Sequence, residues 1–220
     1  MEKFIKKTEI FRRIFHLLVG GIVSCLYYFD FFSRNQLLIA LSAAFALVIF
    51  IEHFRAENPK LNAFCLRFLK LIVRKKEIKG LSGIPFYLFG CFFVILVFNK
   101  SIALLSILFL AAGDPTAGLF GKLFGHWSFK FDNGKSYIGF VSSSIVCSLL
   151  TYSYYRYCLP IIPLDSKFIA FCMIAGLIGG VSELISFIDD NSFIPIFSGL
   201  LLLLLHYWMK VPGELTQFFG

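Results

Sequence analysis

The sequence predicts an all-α fold, a polytopic membrane helix bundle of about seven transmembrane helices plus one interfacial amphipathic helix. Hydrophobic residues make up 58% of the 220 residues, and charged residues make up only 15%. Mean hydropathy is +0.81. A soluble domain carries about 25% charged residues, and a chain of this size cannot bury so much apolar surface away from water. We therefore expect a single integral membrane domain over residues 1–220.

Seven apolar segments meet or approach the roughly 20 residues that a transmembrane helix needs. Two of them reach this length only if an acidic residue is tolerated inside the helix, Asp114 in one and Glu183 in the other, and the first extends from Phe29 to Phe32 past Asp30. In chain order the segments are Leu17–Phe32, Asn35–Ile51, Gly80–Asn99, Ser101–Gly121, Ser136–Tyr155, Phe168–Ile188 and Asn191–Met209.

The segment Leu61–Val73 has a different pattern from these spans. Its apolar residues fall at helical spacing on one face, while Arg67, Lys70 and Arg74 lie on others. This pattern is typical of an amphipathic helix in the headgroup plane. The alternative is a helix packed on other cytoplasmic protein.

The distribution of basic residues predicts the orientation of the bundle. With seven spans, 16 of the 21 Lys and Arg residues fall on the side of the N-terminus, and such a bias marks the cytoplasmic side. The formal net charge of +8 is then explained by loops that face anionic lipid, and no nucleic-acid partner is expected. The protein is expected to be a multi-pass membrane protein, of the inner membrane in a bacterium.

Small residues recur every four positions in one polar-flanked stretch, at Gly113, Ala117, Gly121 and Gly125. Such a stripe is typical of close helix–helix packing in membranes, which does not account for Asp114. A carboxylate at the edge of an apolar run is costly unless it is paired, metal-bound or hydrated. Asp114 before a proline is also a helix-start signal. Its functional interpretation is a Mg²⁺ ligand at a helix N-terminus, where glycine backbone lets phosphates approach.

A second motif joins Lys135 and Ser136, followed by Gly139. It is not a P-loop, because Phe129 stands where that motif needs a glycine and no strand precedes it. Lys135 could still neutralise phosphate charge, with Ser136 donating a hydrogen bond. The alternative is a lysine at a helix start that extends to lipid headgroups.

Acidic residues form a third motif, with Glu183 inside an apolar segment and Asp189, Asp190 and Asn191 after it. Adjacent carboxylates repel one another at low dielectric unless a cation relieves them. Carboxylate and amide oxygens are ligands that suit Mg²⁺. The alternative is an acidic turn that caps the last helix.

Two weaker sets carry arginines. Arg12 and His16 share one face of the first helix, next to Arg13, and Glu52 and Arg55 end the second. Arginines suit phosphate, and a histidine can accept a proton near neutral pH. The alternative role of the N-terminal arginines is to determine topology.

Together these motifs place cations, carboxylates, glycines and a histidine on one membrane face. Phosphoryl transfer needs this inventory of metal ligands, cations around the phosphates and a base for the attacking hydroxyl. Since the neighbouring interior is apolar, the expected acceptor is a lipid alcohol.

At these residues the chain resembles the CTP-dependent lipid-alcohol kinases, a family of dolichol kinases, phytol kinases and CTP-using diacylglycerol kinases. Bacterial members are often labelled phosphatidate cytidylyltransferase. The resemblance covers residues 9–205. It is carried by Glu9-x-x-Arg12-Arg13-x-x-His16, Glu52-x-x-Arg55, Lys76-Glu77…Leu81-Ser82-Gly83, Gly113-Asp114-Pro115-x-Ala117…Gly121…Gly125, Lys135-Ser136-x-x-Gly139 and Glu183…Asp189-Asp190-Asn191…Pro195. Ile138 stands where dolichol kinases carry an acidic residue, so the chain looks closer to the phytol-kinase or bacterial branch.

The resemblance implies transfer of the γ-phosphate of CTP to a polyprenol, phytol or diacylglycerol, with Mg²⁺. The residues expected to act in catalysis are Asp114, Lys135, Asp190 and His16. Those expected to bind nucleotide are Gly113, Ala117, Gly121, Gly125, Lys135, Ser136, Gly139, Arg12 and Arg13. Those expected to bind metal are Asp114, Glu183, Asp189, Asp190 and Asn191. Alternatives are cytidylyl transfer to phosphatidate and a membrane transporter, although the crowding of polar residues on one side counts against transport.

Overall fold

The structure is a computed structural model, and it describes residues 2–69, 77, 80–159, 164–186 and 189–209. The expected helix end at Val73, the motif residue Lys76 and the expected span end at Ile188 lie outside the described residues. The helices are α1 (Glu2–Tyr28), α2 (Arg34–Glu57), α3 (Pro59–Leu69), α4 (Gly83–Val97), α5 (Lys100–Leu108), α6 (Asp114–Phe124), α7 (Tyr137–Ser153), α8 (Ser166–Leu184) and α9 (Asp190–Met209).

The all-α membrane bundle predicted from the sequence is confirmed. In the described part of the chain, five helical segments are long and apolar enough to span a bilayer: Ile10–Tyr28, Arg34–Glu57, Lys100–Trp127, Ser166–Leu184 and Asp190–Met209. The other two expected spans correspond to α4, which is apolar but has only 15 residues, and to α7, which has 17. The segment predicted to be amphipathic forms α3 as far as Leu69.

Short polar side chains begin most of these helices. A side-chain oxygen of each capping residue accepts a hydrogen bond from a backbone N–H in the first turn, which satisfies a donor that has no partner within the helix. The residues that cap in this way are Ser33, Ser82, Asn99, Ser136 and Asp165.

The centre of the bundle is α5, which packs against α1, α4, α7 and α9. Every residue from Ser101 to Ile107 is buried. A π-helical turn, Phe109–Gly113, joins α5 directly to α6. The expected span through Asp114 is therefore present, and it is the innermost one.

Glycines bring α7 and α8 into close contact. A Cβ atom on Gly179 would lie 2.7 Å from the Cβ atom of Cys147, and one on Gly176 would lie 2.7 Å from the backbone nitrogen of Ser148. Larger side chains at these positions would force the helices apart. The close packing also sets where the polar end of α8 lies relative to the start of α7.

The end of the bundle where α1 finishes and α5 begins carries its own polar contacts. Lys100 Nζ lies 2.7 Å from a carboxylate oxygen of Asp30, and the Arg34 guanidinium donates to the carbonyl of Leu96 at 2.7 Å. Tyr155 and His206 form a buried hydrogen bond between the segment after α7 and α9.

A buried ion pair ties the end of α2 to the start of α4. Arg55 Nη2 lies 2.6 Å from Glu52 Oε2 and donates to the carbonyl of Gly80 at 2.7 Å. The Ser82 hydroxyl and backbone N–H both donate to the same carboxylate, at 2.9 and 3.1 Å. Arg55 also donates to Asn62 of α3 at 3.0 Å. The Glu52–Arg55 network therefore fixes three segments of the chain.

The network corrects the expectation that Arg55 contacts phosphate. Both side chains of the Glu52–Arg55 pair are 2% exposed, and the guanidinium binds protein oxygens. A buried cation needs such partners to offset its lost hydration, and this requirement explains why the pair is directed into the fold.

Removing the buried cation should destabilise the bundle. We expect Arg55→Met to lower the free energy of unfolding by about 3–5 kcal/mol, because Glu52 would be left buried without its counter-ion. The measurement is SDS-induced unfolding of the purified protein in detergent. The matched control is Lys100→Met, which breaks an ion pair whose Asp30 side chain is 72% exposed and should cost less than about 1 kcal/mol. Equal losses in the two variants would contradict this role for Arg55.

Candidate functional site

Polar side chains from five segments converge at the end of the bundle opposite the Asp30–Lys100 pair. We call this set the polar cluster; its members are His16 of α1, Asp114 of α6, Lys135 before α7, Glu183 of α8 and Asp190 of α9. All five were predicted from the sequence as site residues. Their convergence from segments far apart in the chain is the first requirement of an active site.

Lys135 lies at the centre of the polar cluster. Its Nζ is 3.0 Å from Glu183 Oε1 and 3.3 Å from Asp190 Oδ1. It also donates to the Ser186 hydroxyl at 2.9 Å and to the backbone carbonyl of Glu183. One ammonium group thus joins the end of α8 to the start of α9.

The electrostatic environment favours a charged Lys135. Burial of the ammonium group disfavours the charged form, but the negative charges of Glu183 and Asp190 more than offset this effect, so that the pKa of Lys135 is raised. Lys135 therefore carries its positive charge at neutral pH, as a phosphate-binding lysine must.

A tight turn places Lys135. Gly134 has a φ of 81°, a left-handed conformation that glycine adopts without strain. Asn133 Oδ1 accepts a hydrogen bond from the Lys135 backbone N–H at 3.0 Å, and Asn133 Nδ2 donates to the carbonyl of Leu184 at 2.6 Å. Ser136 then caps α7 by accepting a hydrogen bond from the N–H of Gly139 at 3.1 Å. The turn is thus fastened to α8 on one side and to α7 on the other.

Asp114 and His16 form the second part of the polar cluster. His16 Nδ1 lies 3.5 Å from Asp114 Oδ2, and the side chains are 5% and 16% exposed. Four charged groups act electrostatically on Asp114: the carboxylates of Asp190 and Glu183 and the cations of Arg12 and Lys135. Asp114 is therefore part of the same charge network as Lys135.

The structure corrects the expectation of an open helix N-terminus at Asp114. The Asp114 backbone N–H donates to the carbonyl of Phe109, because α6 continues directly from the π-helical turn. The following residue, Pro115, has no N–H to offer. An anion would therefore find no ring of exposed backbone donors at this position.

The stripe of small residues on α6 packs against α7 and the turn before it. A Cβ atom on Gly121 would lie 2.7 Å from Ser136 Oγ, and one on Gly113 would lie 2.9 Å from Cys147 Sγ. Gly125 also faces Ser136, and a Cβ atom on Gly139 would lie 2.9 Å from the carbonyl oxygen of Ala117. These contacts agree with close helix–helix packing, one of the two interpretations of the four-residue spacing of small residues. The nucleotide-binding roles of these residues stay predictions.

The two N-terminal arginines lie near α6. A Cβ atom on Gly118 would be 3.2 Å from Nη2 of Arg13, so the guanidinium lies against α6 one turn after Asp114. Arg12 acts on Asp114 through its charge. Both cations thus border the polar cluster, as the sequence predicts.

Asp189 and Asn191 build the start of α9. Asp189 Oδ1 accepts a hydrogen bond from the N–H of Asn191 at 3.0 Å, which is the capping alternative for the acidic turn. Asn191 is buried, and its Nδ2 donates to the carbonyl of Gly83 at 2.9 Å. The start of α9 is thereby attached to the start of α4, next to Ser82 of the Glu52–Arg55 network. The predicted role of Asp189 and Asn191 as metal ligands stays a prediction.

Ser186, which was not predicted as a site residue, also contacts the polar cluster. Its hydroxyl contacts both Lys135 Nζ and Asp190 Oδ1, so it bridges the cation and a carboxylate. The available signal was its position three residues after Glu183, one helical turn away. Because α8 ends at Leu184, the helical spacing alone does not give the direction of this side chain.

The sequence is similar to known kinases over most of its length. It is 29% identical over 213 residues to CTP-dependent diacylglycerol kinase 1 of Eremothecium gossypii, which covers 90% of this chain and 67% of the relative. It is 28% identical over 213 residues to the protein of the same name in Saccharomyces cerevisiae, with 90% and 73% covered. An uncharacterized protein of Rickettsia prowazekii is 33% identical over 162 residues, with 69% and 76% covered.

No family model matches the chain, and no solved structure matches it. The family assignment therefore depends on the aligned relatives and on the residues that carry the resemblance. The relatives described as CTP-dependent diacylglycerol kinases align with 90% of the chain. The motif residues from α1, α6, α8 and α9 meet in the polar cluster. The chain is thus homologous to CTP-dependent diacylglycerol kinases, which match the CTP-dependent lipid kinase family that its motifs resemble.

Proposed function

We propose that this protein is a membrane kinase that transfers the γ-phosphate of CTP to the hydroxyl of a lipid alcohol, with diacylglycerol as the first candidate. The observation that carries the proposal is the polar cluster, in which Lys135 faces the carboxylates of Glu183, Asp190 and Asp114 at one end of an apolar bundle. Arg12 adds a second cation near Asp114. The names of the aligned relatives support CTP as donor and diacylglycerol as acceptor.

The proposal places the polar cluster on the cytoplasmic side. The excess of Lys and Arg on the predicted N-terminal side supports this orientation. Nucleotides are available there, and lipid acceptors reach the same site from within the bilayer.

Three cations are proposed to bind the phosphates of CTP. Lys135 is held as a charged group by two carboxylates, and Arg12 and Arg13 border the same space from α1. In phosphoryl transfer, charge spreads over the oxygens of the transferred group, so that fixed cations stabilise the transition state. Because α1 holds the two arginines and the turn before α7 holds Lys135, the cations are in place before the nucleotide arrives.

The carboxylates fit a magnesium ion that the nucleotide brings. Among the described residues, no group of three or more His, Cys, Asp and Glu side chains forms a ready-made metal site. Mg²⁺ in kinases typically needs only one or two carboxylates, since phosphates and waters complete its shell. Asp114 and Asp190 are the proposed ligands, because Glu183 lies closer to Lys135. When bound, the ion would neutralise charge on the phosphates.

His16 is the proposed acceptor of the hydroxyl proton. The lipid oxygen would bond to the γ-phosphorus, the bond from that phosphorus to the β–γ bridging oxygen would break, and CDP would leave. The proton would pass to His16, and the carboxylate of Asp114, 3.5 Å away, would stabilise the resulting imidazolium. Both groups are largely buried, which excludes water as a competing acceptor.

The first test identifies the reaction. Purified protein in lipid nanodiscs, given CTP, Mg²⁺ and diacylglycerol, should form phosphatidate and release CDP in equal amounts, measured by mass spectrometry. The acceptor panel should include phytol and a polyprenol. Release of pyrophosphate with phosphatidate as acceptor would identify a cytidylyltransferase. No turnover with any acceptor, together with movement of solute across sealed vesicles, would identify a transporter.

The second test addresses the polar cluster. We expect Asp114→Asn and Lys135→Met each to lower kcat by about 10²–10³-fold, the usual loss when one group that stabilises the transition state is removed. Their matched controls are Asp132→Asn and Lys130→Met, which change exposed residues of the neighbouring turn. Wild-type rates in the Asp114 and Lys135 variants would remove these residues from the mechanism.

The third test addresses the metal. Chelation with EDTA should abolish phosphate transfer, and added Mg²⁺ should restore it. Because Asp190 is proposed as a ligand, Asp190→Asn should raise the Mg²⁺ concentration for half-maximal activity by about tenfold or more. The Asp132→Asn variant should keep the wild-type Mg²⁺ dependence. Full activity in EDTA would exclude the metal from the reaction.

A further inference from the structure

An apolar groove of about 400 Å³ lies on the outer face of α1. Leu17 and Leu18 line one end, Cys25 and Leu26 lie further along, and Phe31 of the following loop closes the far end. The surface of the groove is almost entirely apolar, which suits hydrocarbon and not water or a polar ligand.

Gly21 gives the groove its depth. A Cβ atom at this position would meet nothing within 4 Å, so no packing contact accounts for the glycine. Gly20, its neighbour, is different: a Cβ atom there would collide with Ala111 and Tyr87. Of the two adjacent glycines, one is explained by helix packing and the other opens a space on the outside.

The groove lies on the same stripe of α1 as Arg13, which borders the polar cluster. Arg13, Leu17, Gly21 and Cys25 are spaced four residues apart and therefore lie along one stripe of α1. At the upper end of this stripe, the guanidinium of Arg13 lies against Gly118 of α6. The helix rises about 1.5 Å per residue, so the stripe extends about 12 Å from Leu17 to Cys25, which is close to the half-thickness of a bilayer core of about 30 Å.

The polar end of the groove also has the right chemistry for a headgroup. His16 is at the level of the start of the groove but is buried towards Asp114, and Arg13 is one of the cations proposed to bind the phosphate that is transferred to the lipid. A lipid lying in the groove would therefore have its tail on apolar surface and its polar end beside the reacting groups.

We propose that this groove binds a hydrocarbon tail of the lipid substrate and that the space left by Gly21 determines whether a long tail fits. The proposal rests on the proposed function, because it places the acceptor hydroxyl at the His16–Asp114 end. A long acyl or prenyl chain would fill the stripe from Leu17 to Cys25, whereas a chain of six carbons would end before Cys25.

The test fills the groove with a larger side chain at position 21. KM is then measured for the 220-residue chain in nanodiscs with CTP and Mg²⁺. With Gly21→Phe, we expect KM for dioleoylglycerol to rise by about tenfold, while KM for dihexanoylglycerol and for CTP changes by less than about twofold. The control is Leu47→Phe, which adds a ring to the outer face of α2, where Leu47 is 59% exposed. It should leave all three KM values unchanged.

A second measurement does not depend on turnover. A diacylglycerol with a photoreactive group in its acyl chain should crosslink to residues 17–26, located by mass spectrometry, and Gly21→Phe should reduce this product. If the wild type shows no kinase activity but still crosslinks at residues 17–26, the proposed function is wrong, whereas binding of a hydrocarbon tail in the groove is confirmed.

Three results would contradict the proposal that the groove binds a tail of the lipid substrate. The first is equal KM changes for long and short acceptors. The second is crosslinking spread evenly over the outer faces of α1 and α2. The third is a change of oligomeric state in Gly21→Phe without a change in KM, which would assign the groove to a second copy of the chain.

Discussion

Charge buried in an apolar bundle must be compensated, and Lys135 performs this task for two helix ends. Glu183 closes α8 and Asp190 opens α9, and without a cation between them their carboxylates would repel each other. The ammonium group comes from neither helix but from the turn before α7. The position of that turn therefore decides how three helices meet, and the polar cluster forms only when all three are in place.

Two further constraints hold the polar cluster from outside. Small residues on α6 and α8 let both helices approach α7 closely, which brings Asp114 and Glu183 within electrostatic range. On the other side, Asn191 attaches α9 to Gly83, next to the Ser82 that Glu52 holds. The Glu52–Arg55 network thus reaches the polar cluster through backbone, which explains why residues with no access to a ligand belong to the same set of motifs.

Composition and apolar spacing predict the membrane bundle because a bilayer demands long apolar segments, and this demand is readable residue by residue. They also identify the members of the polar cluster, since Asp114 and Glu183 are conspicuous in apolar surroundings. Composition and apolar spacing do not give the direction in which each side chain points. Arg55 has the chemistry for phosphate but faces Gly80 and Glu52, and Ser186 lies beyond the end of α8. These two contacts, Arg55 with Gly80 and Ser186 with Lys135, join residues that are 25 and 51 positions apart in the chain, and no local pattern encodes them.

The π-helical turn before Asp114 has a consequence for how this chain tolerates change. Such a turn holds one more residue than an α-helical turn, and each residue rotates the following helix by about 100°. The direction of the Asp114 carboxylate is therefore set by the number of residues between Lys100 and Gly113 as much as by their identity. Insertion or deletion of a single residue there would turn the carboxylate away from His16 while leaving every side chain of the polar cluster present. The number of residues between Lys100 and Gly113 therefore matters for the His16–Asp114 contact as much as the identity of those residues does.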